Sequence, residues 1–127
     1  MAIHLNSSRL DRLVMVVIIG DAGASDMLAM ARQFADADIM LYRKIVDITA
    51  GALVVDDAEL ANVAALLRAD PGTDARGPLA FVVDSSGSRV AEKFAELTTG
   101  ERPVQVFRSL HTARRWLDAI SAIQPRR

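Results

Sequence analysis

Asp84-Ser85-Ser86-Gly87 is the segment best equipped for chemistry. Two hydroxyls and successive backbone N–H groups at the start of a helix can hold an anion. A plain helix cap followed by glycine is the other reading of the same residues. Arg108, at the end of a strand, offers a cation to a similar ligand, and Asp21 adds a carboxylate near the same rim. Asp21, Asp47 and Asp84 are residue types that suit a hard metal ion, but no spacing among them demands one, and no metal is expected. His111 with Asp84 or Ser85 supplies the residue types of a hydrolase triad. The nucleophile elbow G-x-S-x-G is absent, so no catalytic residue is assigned and a small hydrolase is only a remote alternative. Gly20-Asp21-Ala22-Gly23 lacks the dinucleotide spacing, and no G-x-x-x-x-G-K-[ST] exists elsewhere. The segment reads as a turn, and no cofactor is expected.

These residues need elements to position them. Ile3 to Asn6 reads as a short strand, and Arg12 to Ile19 as a long one, apolar almost throughout and so covered on both sides, or covered on one and dimerised on the other. The short loop between them favours an antiparallel hairpin. Ser25 suits an N-cap for a helix over about 25–36 that carries Met27, Leu28, Ala31, Phe34 and Ala35 at helical spacing. Tyr42 to Thr49 reads as the third strand, with Asp47 placed to orient a loop or face a partner. Residues 50–56 read as an irregular apolar connection. Asp56 and Glu59 form a capping box for the next helix, which presents Leu60, Val63, Ala64 and Leu67. Pro78 to Val83 and Pro103 to Phe107 are the remaining strands. Between them lies a helix with Val90, Ala91, Phe94 and Leu97. Ser109 caps the last helix, which turns Leu110, Ala113, Trp116, Leu117 and Ile120 inward.

The order is β-β-α-β-α-β-α-β-α. It predicts an α/β fold with a mostly parallel five-stranded sheet, the first strand antiparallel. One domain over residues 1–127 is expected, with 122–127 a frayed basic tail. Ligands in such folds gather beyond the carboxyl ends of the strands, which makes Asp21, Asp84, Ser85, Ser86, Gly87 and Arg108 the candidate ligand-binding residues. Met27, Met30, Leu53, Val54 and Val55 are the candidate interface, since the apolar connection and the methionines of the first helix could line a dimer face or a pocket.

Composition narrows the function classes. The chain has 127 residues, no cysteine and a formal net charge of -1. Disulfides, thiolate metal sites and cysteine nucleophiles are excluded. Aromatic residues are 5%, too few for a stacking platform, and with the balanced charge they argue against nucleic acid. No apolar run is long enough to span a bilayer and no signal peptide is read, so a cytoplasmic location is expected.

YRKIVDIT at 42–49, PLAFVVD at 78–84 and VFRSLHTARRWLDAI at 106–120 resemble the SpoIIAA-like group, the STAS and SEC14-like small domains of bacteria. The last piece resembles the ending common to that family's uncharacterised members. The best-known members are anti-sigma-factor antagonists that present a phosphorylatable serine at the start of the second helix. The resemblance puts that position at Asp56-Asp57-Ala58-Glu59, where this chain has no serine and where Asp57 resembles a permanently charged mimic. The D-S-S-G at Asp84 to Gly87 falls one β-α unit later. The resemblance implies a non-enzymatic regulatory or protein-interaction domain whose partner is another protein or a second copy of itself. The alternative it leaves open is a binder of a small anionic, apolar or lipidic ligand at the carboxyl-end rim.

Overall fold

A computed structural model describes residues 2–36, 41–69, 77–84, 88–98 and 102–123. Nine elements follow one another: β1 (Ala2–Ser8), β2 (Leu13–Ala22), α1 (Ala24–Asp36), β3 (Arg43–Leu53), α2 (Asp57–Ala69), β4 (Leu79–Val82), α3 (Ser88–Leu97), β5 (Val104–Phe107) and α4 (Leu110–Ile123). The sheet order is β1-β2-β3-β4-β5. β1 runs antiparallel to β2, and the other neighbours are parallel. This is the α/β architecture expected above.

Handedness explains the layering. Parallel strands added one after another in a single direction, each with a right-handed crossover, place their helices on one face. α1, α2 and α3 therefore share a face. There Met27, Phe34, Leu60, Val63, Ala91 and Phe94 meet Val14, Val16, Ile18, Val46, Ile48, Phe81 and Val83 in the main core. α4 follows the last strand and crosses to the other face. It buries Ala113 and Leu117 on Leu13, Ile45, Ala80 and Val82, and Trp116 tilts against Phe107 with ring centroids 5.5 Å apart. The second face of β2 is covered only at its start. Leu13 is buried, Met15 and Val17 are half-buried, and Ile19 is 45% exposed.

The helix starts are chemically specified. Asp56 and Glu59 make the capping box as expected: Glu59 N–H donates to Asp56 Oδ1 at 2.7 Å, and Asp56 N–H to Glu59 Oε1 at 3.1 Å. Ser109 Oγ accepts the Thr112 N–H at 3.2 Å. α1 departs from expectation. Gly23, not Ser25, stands at its cap, since its carbonyl accepts the Met27 N–H at 3.1 Å and its N–H donates to Asp26 Oδ2 at 2.9 Å. Leu110 also departs from expectation: as the first residue of α4 it is 39% exposed. Of the expected tail, Ala122 and Ile123 close α4 and 124–127 lie outside the described residues, as do Met40 and Ser85 to Gly87.

Two strands are longer than the sequence suggests. Gly20 to Ala22 is not a turn but the end of β2, and 50–53 is not an irregular connection but the end of β3. Glycine looks like a breaker in both places. Here Gly20 sits opposite Gly51 in the ladder, and a Cβ on Gly51 would lie 2.4 Å from the Gly20 carbonyl oxygen. The close approach requires the glycine.

Arg43 ties the layers together. Its Nη1 donates to Asp118 Oδ1 of α4 at 2.8 Å, and its Nη2 donates to the Asp11 carbonyl at 2.9 Å in the β1–β2 turn. The Arg43 side chain is only 11% exposed, whereas Asp118 is 68% exposed. The two ends of this pair therefore differ in weight. Arg43→Ala removes buried stem packing and both bonds, and is expected to cost about 2–3 kcal/mol. Asp118→Ala, at the solvated end, is expected to cost under about 1 kcal/mol. Urea unfolding of both variants measures the contrast.

Candidate functional site

The rim residues are dispersed. Val83 N–H donates to the Phe107 carbonyl at 2.9 Å, so Asp84 and Arg108 leave adjacent strand ends, both exposed. Asp21 is exposed at the end of β2, two strands away from β4 or roughly 10 Å. His111 is exposed in the first turn of α4, and among the described residues no hydrogen bond joins it to an acid or hydroxyl. Among those residues no group of three His, Asp or Glu side chains could hold a metal ion. Asp57, the position of the resemblance's phosphoacceptor zone, is held by Arg89 of α3 at 3.1 Å, both side chains about two-thirds exposed.

Asp47 does its work locally. Its Oδ1 accepts the Thr49 N–H at 2.9 Å and the Thr49 hydroxyl at 2.7 Å. Here the β2–β3 register shifts: Val17 faces Asp47 but Ile19 faces Ala50, so β3 carries one extra residue. Such a bulge reverses which face each later residue occupies. Before it, Val46 and Ile48 point toward α1–α3. After it, Leu53 lies beside Ala22 and joins them on the same face, against the main core. Without the bulge, alternation would send Leu53 to the α4 side.

Leu53 thereby reaches an apolar cavity under the helices. The cavity has a volume of about 40 Å³. Met27, Met30 and Phe34 of α1 form one wall, Phe94 of α3 another, and Phe81 and Leu53 the floor. Of the five residues proposed as an interface, Met27, Met30 and Leu53 converge here, Val55 is buried in the core and Val54 is 57% exposed. Arg102, just before β5, is the one charged residue on the cavity wall among the described residues, and its Nη1 lies 3.4 Å from the Gly77 carbonyl.

No motif in the sequence points to Lys44. It is fully buried on the helix-side face, with Nζ donating to the Tyr42 carbonyl at 2.8 Å and 5.4 Å from the Phe34 ring centroid. One signal was present in YRKIVDIT: Lys44 shares the alternation of Val46 and Ile48, a cation at an apolar parity.

The same fold occurs in a solved structure, an uncharacterized protein from the DUF3478 family with a SpoIIAA-like fold from Shewanella loihica PV-4. It matches with a TM-score of 0.60 over 91% of this chain and 92% of that chain, at 19% sequence identity. With the strand order above, this defines the chain as an α/β protein of SpoIIAA-like fold. No family model matches the chain, and no curated protein does. No described helix is long and apolar enough to cross a membrane.

The bulge is testable. Asp47→Ala removes both bonds to Thr49 and is expected to cost about 1–3 kcal/mol, whereas Thr49→Val removes only the hydroxyl bond and should cost about 1 kcal/mol. Urea midpoints of the two variants check the order.

Proposed function

We propose that this chain is a non-enzymatic regulatory domain that takes a small amphiphile in the cavity beneath α1 and α3. The cavity itself carries the reading. A void of about 40 Å³ exceeds what one water needs, yet an apolar void of this kind stays dry. Left empty, it forfeits roughly 1 kcal/mol of packing. A hydrocarbon segment recovers that energy. Met27 and Met30 are unbranched and change rotamer readily, so the α1 wall can yield to a chain longer than the resting void admits. Arg102 favours an anionic head, because a charge-assisted bond to a guanidinium is stronger than a neutral one. The ligand class is therefore a short hydrocarbon chain ending in a carboxylate or similar anion. This moves the site from the carboxyl-end rim to the helix-side core.

A second reading has its own observation. The exposed Ile19 and half-buried Met15 and Val17 leave the second face of β2 without full cover. That supports regulation through association with another chain or a second copy.

Calorimetric titration with octanoate and 1-octanol tests the first reading, with Ala31→Leu to fill the cavity from α1 and Arg102→Met to remove the cation. Wild type is expected to bind both, octanoate about tenfold tighter, a difference of about 1.4 kcal/mol. Arg102→Met should erase that preference and Ala31→Leu should abolish both. No binding by wild type, or undiminished binding by Ala31→Leu, overturns the reading.

A further inference from the structure

The two edges of the sheet are unlike. β5 is an edge of four residues. α3 and α4 both pack on it, and Glu92 and Glu96 of α3 flank Val104 to Val106 along an open groove. A short strand beside carboxylates is a protected edge. β1 is an edge of seven residues, AIHLNSS, with no lysine, arginine, acid or proline. Its ladder with β2 runs unbroken from Ala2 opposite Ile19 to Ser8 opposite Leu13, with no bulge to twist the edge away. Among the described residues β2 is its one pairing partner. None of the usual devices that blunt an edge is present in the strand itself.

We infer that this edge pairs with the β1 of a second copy, antiparallel about a two-fold axis, to give a continuous ten-stranded sheet. The unpaired main-chain donors and acceptors of an edge are satisfied by another strand, and the same edge on a second copy supplies one. The contact is self-complementary, so it closes at two copies. The protected β5 edge offers nothing for a third. The net charge of -1 adds little repulsion between copies. In the fully overlapped register Leu5 sits on the axis and His4 lies opposite the partner's Asn6. His4 and Asn6 share a face with Val17 and Met15 across the β1–β2 ladder. The dimer therefore sets two incompletely covered β2 faces side by side on one surface.

This inference names the partner that the association reading leaves open, and it is independent of the amphiphile. The test is sedimentation equilibrium from about 1 μM to about 1 mM, a span covering weak to moderate association, on wild type and on the double variant His4→Lys, Asn6→Lys. Both positions are exposed, so the fold tolerates the change, and circular dichroism checks it. In the fully overlapped register the variant sets two pairs of lysines directly opposite each other across the axis, about 5 Å apart within each pair. The expected result is a wild-type dimer whose dissociation constant rises at least about a hundredfold in the variant. A dimer unmoved by the lysines overturns the edge while leaving association standing. Wild type monomeric throughout overturns self-association itself.

Discussion

Asp47 accepts two hydrogen bonds from Thr49, and the extra residue that this turn admits into β3 decides which way Leu53 points. The consequence spreads through the helix-side layer. With Leu53 on that face, the extended ends of β2 and β3 close the floor beneath α1, and Val55 is delivered into the core. Gly51 completes the constraint, because only a residue without a Cβ lets β3 lie so near the Gly20 carbonyl. A local polar contact thus sets the parity of an apolar wall.

The two faces of β3 carry neighbouring cations with opposite duties. Arg43 lies toward α4 and joins Asp118 and the β1–β2 turn. Lys44 lies toward α1, fully buried beside Phe34. Burying an ammonium is costly unless its donors are engaged, and the Tyr42 carbonyl engages one of them. Both cations sit at the amino ends of the strands, as does Arg102 before β5. The carboxyl ends hold Asp21, Asp84 and Arg108. The proposed anionic head at Arg102 therefore lies at the end opposite the rim that parallel sheets usually offer.

Much of the architecture was legible because it rests on local chemistry. The Asp56–Glu59 box, the Ser109 cap and the apolar periodicities of α2 and α3 each specify an element from a few adjacent residues. The failures have a shared physical cause. Gly20 and Gly51 look like breakers one strand at a time, and only the ladder that sets them opposite each other makes them strand residues. Ser25 is a better cap by type than Gly23, yet Asp26 closes the box on Gly23. Leu110 fits the apolar stripe of α4 but opens the helix and is exposed. The cavity was illegible for a deeper reason. Its walls come from Met27, Leu53, Phe81, Phe94 and Arg102, residues far apart in the chain, and a void is a property of their packing rather than of any one pattern.

Carbon-13 methyl spectra of methionine-labelled protein, recorded during titration with octanoate, test the account most directly. Met27 and Met30 line the cavity, and Met15 lies across the sheet against the α4 cluster. With ligand in the helix-side cavity, the Met27 and Met30 methyl resonances are expected to shift together with saturation while Met15 stays in place. A saturable shift of Met15 with Met27 and Met30 unmoved would contradict it, and would place the ligand on the other face of the sheet.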